Sequence, residues 1–154
     1  MKPKLYLLCG LPGSGKTTYA KGLKNTARLT VDEEVFKRYG KEFNSELLAQ
    51  YETEIKKEFK EAAKQRLQAG TSVALDYGFW KRSERDEYKQ LAKSVDAEWR
   101  LIFFDAPLEV LKSRINTRNT AEPVHNHVIS NELLESFVAQ LEIPHGEGEE
   151  VIKN

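Results

Sequence analysis

Residues 10–18 read GLPGSGKTT and follow directly on the apolar run 5–9, LYLLC. Gly10, Gly15, Lys16 and Thr17 fit the spacing G-x-x-x-x-G-K-[ST]. The glycines let the backbone curl until successive N–H groups point inward, and such a concavity accepts phosphate oxygens. The helix expected from Lys16 onward adds its positive dipole end and its unpaired N–H donors. Gly13, Ser14 and Thr18 complete the expected cradle. In this arrangement the lysine reaches the β- and γ-phosphates and the Thr17 hydroxyl ligates Mg²⁺. A loop of this kind requires a buried strand before it and a helix after it. It therefore limits the chain to an α/β architecture.

The rest of the chain fits that demand. Short apolar runs at 5–9, 27–31, 72–77 and 99–104 alternate with longer amphipathic ones, and 150–152 suits a weaker fifth strand. Helices are expected at 16–24, 32–39, 45–69, 83–95, 108–117 and 131–141. The longest carries Leu47, Leu48, Tyr51, Ile55, Phe59 and Leu67 on one stripe, with Asn44 or Ser45 as its N-cap and Gly70 at its end. Ser83 with Asp86 resembles a helix start signal, and Pro107 suits the opening of the next helix. Strands alternating with helices imply a parallel sheet of about five strands, covered on both faces. Right-handed crossovers bring the strands' carboxyl ends to one edge, where ligands bind.

The 154 residues suffice for a single domain, 1–154, with one core. Lys+Arg and Asp+Glu balance at 24 each, which does not support a broad electrostatic footprint for duplex nucleic acid. The single cysteine, Cys9, rules out an internal disulfide framework. The N-terminal apolar run falls short of the ~7–15 residues of a leader, and no stretch approaches the ~20 of a membrane span. The expectation is a cytoplasmic protein without membrane contact.

Four strand ends carry chemistry. Asp32 follows the second strand, beside the phosphate loop, where a carboxylate can take a proton from an acceptor hydroxyl or simply cap the next helix. Asp76 ends the third strand in the apolar-then-acid form that supports Mg²⁺, and can equally orient an acceptor. Phe79 and Trp80, after Tyr77, either wall an acceptor pocket or cover the sheet edge. Asp105 reads as structural. Arg114 and Arg118 lie four apart on one helix face, ahead of a polar loop, and suit a lid over the phosphates spanning about 114–130. His125 and His127 read as surface loop, and the acidic run 147–150 as a solvated turn. Residues 143–146 are candidates to border an adenine ring.

Together, GLPGSGKTT, Asp32, Asp76 and LKSRINTRN ahead of a loop and helix resemble the small P-loop kinases typified by the 5′-kinase domain of polynucleotide kinase. Zeta toxin and chloramphenicol phosphotransferase are more distant in resemblance. The resemblance implies a P-loop NTPase-type parallel sheet with a helical lid, ATP·Mg²⁺ as donor and a hydroxyl as acceptor. It also implies Asp32 as general base, Arg118 as the lid arginine at the transferring group and Arg114 as an ATP-side contact. Two departures stand out. Polynucleotide kinases place an arginine shortly after the base, whereas here two glutamates follow Asp32. Related end-healing kinases read Asp-Ala-Thr-Asn where this chain has Asp76-Tyr77-Gly78-Phe79. Both point away from a polynucleotide acceptor and toward a nucleoside, sugar or antibiotic-like molecule. A polynucleotide 5′-hydroxyl kinase is the alternative, and an ATP-dependent regulatory switch the alternative of another class. No Asn-Lys-x-Asp guanine-reading sequence is present.

Overall fold

The computed structural model describes residues 1–40, 45–120 and 128–154. Among them run β1 (Lys4–Cys9), α1 (Lys16–Lys21), β2 (Thr26–Thr30), α2 (Val31–Tyr39), α3 (Ser45–Gln68) and β3 (Ser72–Gly78). There follow α4 (Arg82–Ser94), β4 (Glu98–Asp105), α5 (Leu108–Asn119), α6 (Asn131–Gln140) and β5 (Glu150–Lys153). The five strands form one parallel sheet in the order β2-β3-β1-β4-β5.

The pleat of β1 explains the layering. Its Leu5, Leu7 and Cys9 enter a core with Ala63 and Leu67 of α3 and Tyr88 and Leu91 of α4. Its Leu8 turns to the opposite core, with Ala20 of α1, Ala74, Ile102 and Phe104. A strand buried on both faces must read as a continuous apolar run, and β1 does. The helices after β1 and β3 therefore leave on opposite faces. This opens a crevice at the carboxyl ends of the two neighbouring strands. Val31, Val35 and Ile55 bind α2 to α3 beside it, and Leu11, Leu111, Ile115 and Leu134 bind the loop after β1 to α5 and α6.

Several boundaries differ from expectation, each for a local reason. α1 ends at Lys21 because Gly22 takes over as its C-cap. Thr30 is both the last residue of β2 and the N-cap of α2, which puts Asp32 in the first helical turn; it is neither a strand residue nor a cap. Ser83 does not cap α4. The Arg82 backbone N–H donates instead to Glu142 Oε1 at 2.9 Å, so a carboxylate distant in sequence serves that helix end. Leu47 lies on the exposed side of α3. The proposed Asn44 cap and both His125 and His127 lie outside the described residues. No helix among the described residues is long and apolar enough to cross a membrane.

Glu147 corrects the expectation of a solvated turn. It is buried and receives two hydrogen bonds from Arg85, from Nε at 2.9 Å and from Nη2 at 2.8 Å. Lys89 Nζ donates to its backbone carbonyl at 2.7 Å. The guanidinium holds the Glu147 carboxyl below the usual carboxylate range.

Cys9 is fully buried, as expected, and burial pushes its thiol up to about 12. A thiol-alkylating reagent at about pH 8 should leave the folded protein unlabelled and modify Cys9 once the chain is unfolded. Labelling of the native protein would show that β1 opens locally.

Candidate active site

The loop after β1 is built by backbone geometry. Gly13 and Gly15 have φ of 82° and 104°, a left-handed region that side chains disfavour. A Cβ on Gly15 would lie 2.7 Å from Asn154 Nδ2. Neighbouring elements then hold the loop from outside. Trp80 Nε1 donates to Gly10 O at 3.0 Å, Arg114 Nη1 to Gly13 O at 2.9 Å, and Asn154 Nδ2 to Ser14 O at 2.7 Å. Gly10 N donates to Gly78 O at 2.9 Å and Ser14 N to Leu11 O at 3.1 Å, while the N–H groups of Gly13, Gly15 and Lys16 have no backbone hydrogen bond among the described residues and stay available to a ligand.

Three groups in the loop region are matched to an anion. Lys16 Nζ rests on Leu11 O at 2.9 Å; burial lowers its basicity, and the nearby carboxylates of Asp76 and Asp32 oppose that. The Ser14 hydroxyl is buried and has no hydrogen-bond partner. Arg118 Nε is also buried without a partner; burial lowers the basicity of this guanidinium, with Asp32 opposing. Buried donors left unpaired are costly, and a phosphate would satisfy them.

Thr17 Oγ1 donates to Asp76 Oδ2 at 2.5 Å. A hydroxyl and a carboxylate are oxygen donors suited to a hard dication such as Mg²⁺, which typically takes one or two carboxylates and completes its shell with phosphates and water. No cluster of three or more His, Cys, Asp or Glu side chains is gathered for a metal among the described residues. The residues present therefore fit a metal that arrives with the nucleotide.

One cleft of about 1600 Å³ joins these parts. Gly10, Gly13, Gly15, Lys16, Thr17 and Thr18 line one end. Asp32, Asp76, Arg114 and Arg118 line its walls, so the residues singled out in the sequence meet in one place. Other candidates do not. Phe79 is fully buried in the core at a positive φ of 49°, its carbonyl accepting from Arg85 Nη1 at 2.8 Å, so it covers the sheet edge and walls no pocket. Trp80 does line the cleft, clamped to Gly10. Asp105 and residues 143–146 lie outside the lining, which Ile152 and Asn154 enter instead. Glu52 and Lys56 of α3 and Glu84 of α4 also face the cleft. Sequence reasoning missed these three because charged positions on an amphipathic helix look the same whether they face solvent or a cavity.

The sequence pattern of the AAA domain family matches residues 5–143. The chain belongs to that family. Among solved structures, this AAA domain is similar to a chain of the Pnkp1/Rnl/Hen1 RNA repair complex, at 26% identity and a TM-score of 0.71 over 91% of its length. It spans 44% of that chain. It shares its fold with a gluconokinase from Sinorhizobium meliloti 1021, at 20% identity and a TM-score of 0.65, covering 99% of this chain and 83% of that one. Kti12 of Chaetomium thermophilum, in complex with ADP-AlF3, is similar at 19% identity and a TM-score of 0.69, covering 97% and 88%. No curated protein matches the chain. The domain is thus a nucleotide-binding P-loop fold of the kinase-like kind.

Proposed function

We propose that the protein is a kinase that transfers the γ-phosphoryl group of ATP to a hydroxyl of a small molecule. The observation that carries this is the cleft itself. The phosphate loop lies at one end, and Asp32, without a hydrogen bond or ion pair among the described residues, faces the same space as the unpartnered Arg118 Nε. A module that only binds nucleotide has no use for a free carboxylate beside open space large enough for a second substrate.

In this reading the loop N–H groups and Lys16 hold the β- and γ-phosphates, and Arg114 contacts the nucleotide from α5. Thr17 and Asp76 would hold Mg²⁺, which when bound would offset the negative charge of the phosphate oxygens. The acceptor hydroxyl oxygen forms a bond to the γ-phosphorus, and the bond from that phosphorus to the β–γ bridging oxygen breaks. The electron pair leaves with ADP, and the hydroxyl proton passes to the Asp32 carboxylate. Arg118 stabilises the charge on the transferring group. The chain acts as one cytoplasmic domain, and Arg114 and Arg118 of α5 belong to a lid that excludes water, whose residues 121–127 lie outside the described residues.

A second reading, transfer to a polynucleotide 5′-hydroxyl, is favoured by the similarity to the Pnkp1-containing RNA repair complex. Transfer of labelled γ-phosphate to candidate acceptors, with free phosphate counted in the same tube, tests both. Lys16→Ala should reduce transfer by about a hundredfold or more and weaken ATP binding as well. Undiminished transfer by that variant would refute the role given to the loop.

A further inference from the structure

The acceptor end of the cleft carries an uneven charge distribution. Lys56 is engaged by Glu84 at 3.1 Å and lies over the Tyr77 ring, 5.6 Å from its centroid. Lys60 is engaged by Glu87 at 2.5 Å, Arg28 by Glu33 at 2.9 Å, and Lys81 by Glu142 at 3.6 Å. Two carboxylates lining the same end, Asp32 and Glu52, have no hydrogen bond or ion pair among the described residues. These four cations are therefore already paired, and the unpaired carboxylates at this end among the described residues carry negative charge. Phe36, Leu48 and Ala49 supply an apolar shelf beside it. In the same cleft the buried, unpartnered Nε of Arg118, near enough to Asp32 to feel its charge, marks a ligand site and provides the cation that phosphate requires. The cleft thus offers both a cation and unpaired carboxylates.

We infer that the acceptor is a small hydroxyl compound bearing a cationic amino group, and that Glu52 is the residue that selects it. This rests on the kinase function proposed above. The ammonium donates to the Glu52 carboxylate and takes no part in the bond changes at phosphorus; it holds the neighbouring hydroxyl toward Asp32. A phosphate or phosphodiester placed beside Glu52 would meet two carboxylates that have no hydrogen bond or ion pair among the described residues, and a Lys56 already engaged by Glu84. This argues against the polynucleotide alternative.

Glu52 carries the mark of a group kept for function at a cost in stability. Burial raises its carboxyl above the usual range, and the charges of Asp32 and Glu84 add to this while Lys56 opposes. A carboxyl raised in the folded state adds stability below its unfolded value and loses it as pH rises, so at neutral pH the ionised Glu52 weakens the fold. Removing its charge should leave the melting temperature equal to or above that of the parent protein. A merely structural acid would show a loss.

The test uses labelled γ-phosphate from ATP·Mg²⁺ with matched acceptors: glucosamine and a 2-deoxystreptamine aminoglycoside, against glucose, N-acetylglucosamine, glucose 6-phosphate and a 5′-hydroxyl oligonucleotide. The expected result is label on an amino-bearing acceptor. In Glu52→Gln, the ratio of kcat/KM for that acceptor to that for its neutral analogue should fall at least about tenfold. Label confined to neutral or anionic acceptors, or an unchanged ratio in Glu52→Gln, overturns the inference while leaving the kinase function standing. No label on either amino-bearing acceptor overturns the inference, and phosphate release indifferent to Asp32→Asn overturns the kinase function as well.

Discussion

Asp32→Asn is expected to lower phosphoryl transfer by about 10²–10⁴-fold while leaving ATP affinity close to that of the parent protein. The amide keeps the shape of the carboxylate but cannot accept the acceptor's proton. The loop N–H groups, Lys16 and Thr17 are untouched, so binding common to the ground and transition states is retained and the loss falls on kcat. The position of Asp32 sharpens this expectation. It stands in the first turn of α2, whose Val31 and Val35 are packed against Ile55 of α3, so the side chain is carried on a fixed element. Single-turnover kinetics at saturating ATP measures the effect directly. Transfer at the parental rate would reassign the base, and a parallel loss of ATP affinity would make Asp32 part of the nucleotide site.

Glu147→Gln should cost about 3–5 kcal/mol, because it strands the Arg85 guanidinium in the core. Arg85 is 1% exposed, and both its bonds to Glu147 are buried. For a domain of this size that corresponds to a drop in melting temperature of roughly 10 °C. Arg85→Met should be similarly damaging, and the double variant Arg85→Met/Glu147→Leu less so than the sum of the two, since it removes both charges together. The pH dependence follows from the direction of the shift. The Glu147 carboxyl is lowered in the folded state, so its contribution is present above the unfolded value and is lost as pH falls through the folded one. The melting temperatures of the parent and Glu147→Gln should therefore converge in acid. Equal melting temperatures at neutral pH would show that the pair contributes nothing. The pair also reaches the site: Arg85 Nη1 holds the Phe79 carbonyl at 2.8 Å, and the adjacent Gly78 carbonyl accepts from Gly10 N at 2.9 Å where the phosphate loop begins.

The phosphate loop, the five parallel strands and the convergence of Asp32, Asp76, Arg114 and Arg118 were legible from the sequence alone. The reason is physical. A strand buried on both faces must be continuously apolar, a loop that wraps phosphate must have glycine at its left-handed positions, and parallel connections place strand ends together. These are local demands, met within a few residues of chain. The tertiary structure alone decided which charges are spent and which are free. Glu147 looked solvated in an acidic run, yet it meets Arg85 from 62 residues away, and Glu142 serves the end of α4 from 60 residues away. Asn154 reaches back 140 residues to Ser14. Glu52 and Lys56 sit one helical turn apart on α3, but Lys56 finds Glu84, while Glu52 lines the cleft with no hydrogen bond or ion pair among the described residues. Coulombic and hydrogen-bond partners depend on distance in space, and sequence separation carries almost no information about that distance until the sheet has brought the segments together.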